Sequence, residues 1–102
     1  MPNPNLTINE ILDRAGEASG FLKALGNENR LIILCYLLEG ELSVGSLNEK
    51  LPLSQSALSQ HLAVLRKDKL VETRRDSQTI YYSIADERVK ELIQTLYRLF
   101  CQ

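Results

Sequence analysis

The sequence has 102 residues, 44% hydrophobic and 25% charged, with a formal net charge of −1 at pH 7. That size supports one domain with a modest core, residues 1–102, and no apolar run reaches the roughly 20 residues of a membrane-spanning helix. Near-neutrality excludes a protein that grips nucleic acid by bulk charge alone, but the charge is unevenly spread. Residues 54–82 hold five basic and three acidic side chains, against seven basic and ten acidic in the remainder. Phosphate is therefore attracted to one stretch and repelled by the rest.

Residues 1–6 include Pro2 and Pro4 and read as a flexible tail. With no basic segment of a secretory leader there, a cytoplasmic address is expected. Cys35 and Cys101 would then be reduced, and a bond between them would act as a switch rather than a staple. Over 7–25 the residues Ile8, Ile11, Leu12, Ala15, Ala18, Phe21, Leu22 and Leu25 recur at three and four, which predicts a helix. Thr7 and Glu10 suit a capping box. Gly16, Gly20 and Gly26 weaken this helix, and a break is expected near Ser19 or Gly20.

Asn27 starts a second helix to about Leu38, ended by Gly40, with Leu31, Leu34, Cys35 and Leu38 on its expected buried face. Ser43 starts a third, with Val44, Leu47 and Leu51 inward, stopped at Leu51-Pro52. Ser54 caps a fourth, Gln55 to about Lys67, with Leu58, Leu62 and Leu65 inward. Residues 43–67 thus form a helix–turn–helix. Leu70 to Arg74 and Thr79 to Ile84 are rich in β-formers and flank the polar turn Arg75-Asp76-Ser77-Gln78, predicting a hairpin wing over 70–84. A last helix from about Asp86 to Phe100 has an apolar stripe of Val89, Leu92, Ile93, Leu96, Leu99 and Phe100. That stripe is wider than one neighbour covers, so 7–25 and 86–101 are expected to be dimerisation helices. The predicted fold is mainly α with a small β-hairpin: a winged helix–turn–helix of about five helices and a two-stranded wing, forming a homodimer.

Outside its leucine face the fourth helix offers Gln55, Ser56, Ser59, Gln60 and Ala63. Glutamine can bond an adenine edge, and serine a base or phosphate, in a major groove. The helix N-terminus at Ser54 adds unpaired N–H groups for phosphate. Arg66 and Lys67 at its far end, and Arg74, Arg75 and Gln78 on the wing, can reach the DNA backbone or minor groove. His61, the only histidine, lies one position off the leucine face, where it packs or bonds within the domain, and its place on the fourth helix puts it among the expected DNA-binding residues. No metal site is expected, because a single histidine without nearby cysteine lacks ligands. Enzymatic activity is not expected either: His61 has no acid–base partner, and there is no phosphate loop or nucleophile motif.

Together these segments resemble the ArsR/SmtB family of metal-responsive repressors. FLKALGNENR at 21–30 is similar to the family's lead-in to helix two, ELSVGSL at 41–47 to its third helix, SQSALSQHLAVLR at 54–66 to its recognition helix, and LVETRRDSQTIYYSI at 70–84 to its wing. The resemblance implies a homodimer on an inverted-repeat operator in double-stranded DNA. The family's metal ligands are missing, since Ser43-Val44-Gly45 stands where two cysteines flank a valine, and Asp86 lacks histidine companions. A thiol-based subgroup typified by HlyU, BigR and SqrR is a better match, with Cys35 in helix two and Cys101 ending the last helix. It implies a dithiol switch, with DNA binding weakened when an oxidant or reactive sulfur species links the cysteines, within or between subunits. From the residues alone, Cys35 is equally a small core hydrophobe, while Cys101 is accessible. Two other classes are a regulator of this family without a thiol switch, responding to another ligand or acting constitutively as an anti-silencer, and a winged helix that binds protein instead of DNA.

Overall fold

A computed structural model describes residues 7–101 of the protein. The elements follow in the order α1 Ile8–Leu25, α2 Glu28–Leu37, β1 Leu42–Ser43, α3 Val44–Lys50, α4 Gln55–Lys67, β2 Val71–Asp76, β3 Thr79–Ile84 and α5 Glu87–Phe100. Among the described residues no helix is long and apolar enough to cross a membrane. The expected tail over 1–6 lies outside the described residues.

Each helix starts where a polar side chain can replace the missing intrahelical acceptor. Thr7, Asn27, Ser43, Ser54 and Asp86 each accept a backbone N–H of the first turn. α1 runs through Ser19 and Gly20 without the expected break. Two exposed glycines cost a helix about 1 kcal/mol each, and the capped 18-residue helix absorbs that. After α2, Gly40 takes φ 140°, where a side chain would be strained, and turns the chain toward β1. α4 ends in a paired-carbonyl stop: Leu70 N–H donates to Leu65 C=O at 2.9 Å and Lys69 N–H to Arg66 C=O at 3.0 Å. Lys69 accordingly adopts the left-handed φ of 62°.

The wing hairpin pairs Val71 with Ile84 through Asp76 with Thr79. Its loop is therefore Ser77-Gln78, two residues rather than the four expected, because Arg75 and Asp76 continue the ladder. Ser77 at φ 59° gives the turn the handedness that matches strand twist. A further strand escaped the sequence reading. β1 pairs with β3, Leu42 opposite Tyr82, making a three-stranded antiparallel sheet in the order β1-β3-β2.

The core gathers the inner faces of these elements. Ile33, Leu34, Leu47, Leu58, Leu62, Leu65, Leu70 and Val89 are fully buried. At roughly 2 kcal/mol for each buried aliphatic side chain, these residues clamp the helix–turn–helix to the sheet. The α4 leucines occupy the expected inner face. On α2 the inner residues are Ile33, Leu34 and Leu37, which turns Cys35 out of the core and to the surface. The expected buried stripe containing Cys35 is thus rotated by about one position.

α1 is unlike the other helices. Every residue from Ile8 to Gly20 is exposed; Ala24 and Leu25 are buried in the core and the half-buried Phe21 packs against it. Its attachment to α5 is polar: Arg88 pairs with Asp86 at 2.7 Å and with Glu17 at 3.3 Å, and lies 5.1 Å over the Phe21 ring. Arg88 holds the Asp86 carboxyl below the usual carboxylate range, and Arg14, 3.1 Å from Glu17, together with Arg88 does the same to Glu17.

Candidate nucleic-acid interface and thiol groove

α4 presents Gln55, Ser56, Ser59, Gln60, Ala63, Arg66 and Lys67 to solvent on the side opposite its leucines. Ser54 is also exposed, and its hydroxyl accepts the Ala57 N–H at 3.1 Å, so it caps the helix. The backbone after β2 returns the wing to the same side. Ser59, Ala63, Arg66 and Lys67 share one shallow depression with Tyr82 of β3. Recognition helix and wing therefore offer a continuous surface. Tyr82 was not among the residues singled out from sequence, because its strand position is readable but its neighbour across the fold is not.

The wing arginines differ. Consecutive strand residues point to opposite faces, so Arg74 and Arg75 cannot act alike. Arg74 makes a forked pair with Glu41, with Nε donating to Oε2 at 3.1 Å, and lies 4.6 Å over the Tyr81 ring. The hydrogen bond lowers the Glu41 carboxyl below its ordinary range. Arg75 has no carboxylate partner among the described residues, and Gln78 occupies the exposed tip.

His61 is half-buried on α4 and faces Arg30, whose Nη1 lies 3.4 Å from its Nδ1. Arg30 also donates through Nε to the Ala24 carbonyl at 2.6 Å and through Nη2 to the Lys23 carbonyl at 3.3 Å. One guanidinium thus covers carbonyls at the end of α1 and braces the recognition helix. The sequence reading missed Arg30, because a lone arginine in FLKALGNENR has no local pattern to mark it. Arg30→Gln is expected to lower unfolding free energy by about 1–2 kcal/mol, the worth of charged hydrogen bonds to partly buried acceptors. Urea denaturation checks this; an unchanged midpoint would show that the brace contributes nothing.

The two cysteines are brought together. Cys35 on α2 and Cys101 at the end of α5 line one groove with Leu31, Ile93, Leu96, Tyr97 and Phe100. Both are free thiols and both residues are exposed. The groove is nevertheless apolar around the sulfur of Cys35. Burial there, with a smaller contribution from the neighbouring Cys101, pushes the Cys35 thiol above its ordinary range. A raised value means more of the protonated form at neutral pH and slower attack by the thiolate. In a Cys101→Ser variant, iodoacetamide alkylation of Cys35 should rise with a midpoint above the ordinary value of about 8.5. The same titration in guanidinium supplies the unfolded reference; coincident midpoints would refute the desolvation.

Comparison with known proteins places this geometry. The model of bacterial regulatory proteins of the arsR family matches residues 27–73. The transcriptional activator HlyU of Vibrio cholerae is 52% identical over 97 residues, spanning 95% of this chain and 90% of HlyU. The chain belongs to the ArsR family. Another member, the biofilm growth-associated repressor of Xylella fastidiosa, is 40% identical over 98 residues, spanning 96% of this chain and 86% of the repressor. Among solved ArsR-family folds, reduced HlyU from Vibrio cholerae superposes with a TM-score of 0.86 at 53% identity, covering 93% of this chain and 100% of that one. The repressor BigR from Xylella fastidiosa gives 0.89 at 39% identity, covering 95% and 99%.

The winged helix–turn–helix and the ArsR-type transcriptional regulator are therefore established for this chain. One similar protein is an activator and another a repressor, so membership of the ArsR family does not fix the sign of control. Where arsenic-responsive members of the family are expected to carry thiolates, this one has Ser43 as a helix cap, its hydroxyl accepting the Ser46 N–H at 3.1 Å.

Proposed function

We propose that the protein is a homodimeric, cytoplasmic ArsR-type regulator that binds an inverted-repeat DNA operator when reduced. It releases that operator when reactive sulfur species or an oxidant link Cys35 to Cys101. The observation that carries the switch is the shared groove: residues 66 positions apart in sequence line the same cavity. A link there joins α2, which packs against α4, to the terminal helix.

Dimerisation is supported by apolar surface with no cover in the single chain. Ile8, Ile11, Leu12 and Leu22 on α1 and Tyr97, Leu99 and Phe100 on α5 are 45–79% exposed. Side chains of this kind are costly to leave in water at about 25 cal/mol per Å2. A two-fold axis at these helices gives two recognition helices, which must enter major grooves about 34 Å apart. Bases are read by Gln55, Ser56, Ser59 and Gln60. Ser54 and the helix N-terminus, Arg66, Lys67, Arg75 and Gln78 hold phosphate, and His61 braces the helix from its edge. Arg74 contributes as part of the wing, held by Glu41.

Selection of bound duplexes from a random pool, with protein kept reduced, tests the DNA half of the proposal. An inverted repeat with half-site centres about 10 bp apart is expected. Absence of any salt-dependent DNA binding at low ionic strength would favour a protein-binding winged helix instead. Alkylating both cysteines with no effect on binding would leave an ArsR regulator that answers to another ligand.

A further inference from the structure

The contact between Arg30 and the recognition helix is chemically one-sided. Arg30 Nη1 lies 3.4 Å from His61 Nδ1. A guanidinium only donates, so Nδ1 must accept, and the imidazole proton must sit on Nε2. Arg30 is held in place at two further points, by the carbonyls of Ala24 at 2.6 Å and Lys23 at 3.3 Å. Nε2 makes no hydrogen bond among the described residues, and no buried side-chain nitrogen or oxygen among them lacks a partner. The Nε2–H group is therefore open to solvent.

Charge at this edge is also unbalanced. Every Arg30 partner is a neutral acceptor, and among the described residues no carboxylate pairs with it. The half-buried cation thus leaves a positive field beside the imidazole. His61 sits seven residues from the cap Ser54, two turns along the same side of α4. A helix about 10–12 Å across nearly fills a major groove about 12 Å wide. Its flanks then meet the phosphate walls while its outer face meets the bases.

We infer that Arg30 is a positioning residue for the DNA interface, fixing His61 as a neutral Nε2–H donor to a backbone phosphate. This rests on the placement of α4 in the groove proposed above and adds a contact on the flank of that helix. Without Arg30 the ring is free to exchange tautomers, and for part of the time it turns a lone pair toward phosphate, which repels it. A donor already oriented in the free protein loses less freedom when DNA arrives. Such a contact fixes the register of the helix on the duplex and carries no base information.

His61 is the only histidine, so long-range 1H–15N NMR of untagged protein reads its ring nitrogens without overlap. At about pH 8, above the ordinary histidine value of about 6.5, folded wild-type protein should show a protonated Nε2 and an unprotonated Nδ1 that accepts a hydrogen bond. Arg30→Met and the guanidinium-unfolded chain should both give positions averaged between tautomers. On duplex DNA, His61→Asn keeps an acceptor near the place of Nδ1 but loses the distal donor. It should weaken specific and non-specific duplexes alike by about tenfold, the worth of one charge-assisted hydrogen bond. His61→Gln, whose amide nitrogen falls near the place of Nε2, should recover most of that loss. Averaged signals in folded wild-type protein, or signals unmoved by Arg30→Met, would overturn the role of Arg30. Wild-type affinity in His61→Asn, or no recovery in His61→Gln, would overturn the phosphate contact while leaving α4 as the reading helix. Reduced wild-type protein that bound no duplex would overturn the placement of α4 as well.

Discussion

Cys35→Ser is expected to abolish the response to polysulfide while the reduced-state DNA affinity stays at the wild-type level. Serine replaces an exposed side chain on α2 and leaves the core intact, because the inner face of that helix is Ile33, Leu34 and Leu37. On the proposed switch, a link in wild-type protein would tie α2 to the end of α5 and change the relation between the DNA-reading unit and the proposed dimer helices. Coupling energies between sites are typically about 1–3 kcal/mol, or roughly 5–150-fold in affinity. Wild-type protein should weaken by a factor in that range on polysulfide treatment, and Cys35→Ser by none, in fluorescence anisotropy with the selected operator. Cys101→Ser should behave alike, since each thiol needs the other. A variant that still responds fully would rule out the paired-thiol switch.

The second large effect concerns how the operator sequence is read. Gln60→Ala should weaken operator binding by about 1–3 kcal/mol and relax the preference at one base position per half-site, the cost of removing a bidentate pair of hydrogen bonds to a base. Gln60 is exposed in the middle of α4, close to the fully buried Leu58 and Leu62 that fix the helix against the core. Its removal should therefore leave thermal stability unchanged, surface substitutions of this kind costing within about 0.5 kcal/mol. Arg75→Ala supplies the contrast. It should weaken specific and non-specific duplexes alike and reduce the salt slope by about one for each phosphate that Arg75 neutralises. If Gln60→Ala changed affinity without changing base preference, α4 would be a phosphate-holding element and not the reading element.

Much of this fold was legible because its signals are local. Ser54 before QSALSQHLAVLRK, with leucines at 58, 62 and 65, sets both the start and the inner face of α4, and the structure agrees on each. The helix starts at Thr7, Asn27, Ser43 and Asp86 were readable for the same reason. α2 was harder. From Leu31 to Leu38 the sequence reads LIILCYLL, apolar or weakly polar throughout, so periodicity cannot choose a face. Only packing against α4 and the sheet decides it, and it turns Cys35 outward. β1 is two residues long, too short for alternation to register, and exists because Tyr81 and Tyr82 offer it a partner. The turn of the wing was overestimated because Arg75 and Asp76 are polar, although their backbones still pair with Ile80 and Thr79.

The candidate site divides along the same line. The exposed face of α4 follows from the leucine spacing, so its polar residues could be named in advance. Arg30 could not: its partners are the carbonyls closing α1 and His61 across the fold. Nor could the meeting of Cys35 and Cys101, which depends on how α5 returns past α2. Their pairing came from resemblance to thiol-based regulators, and only the three-dimensional arrangement gives it a shared groove.

Intact mass spectrometry of reduced protein after inorganic polysulfide treatment, with the cysteine peptides mapped, tests the paired-thiol switch most directly. The expected product is a single chain in which Cys35 and Cys101 are joined through inserted sulfur, formed in step with the release of DNA. Two unmodified thiols, or a fully linked protein that still holds its operator, would contradict it.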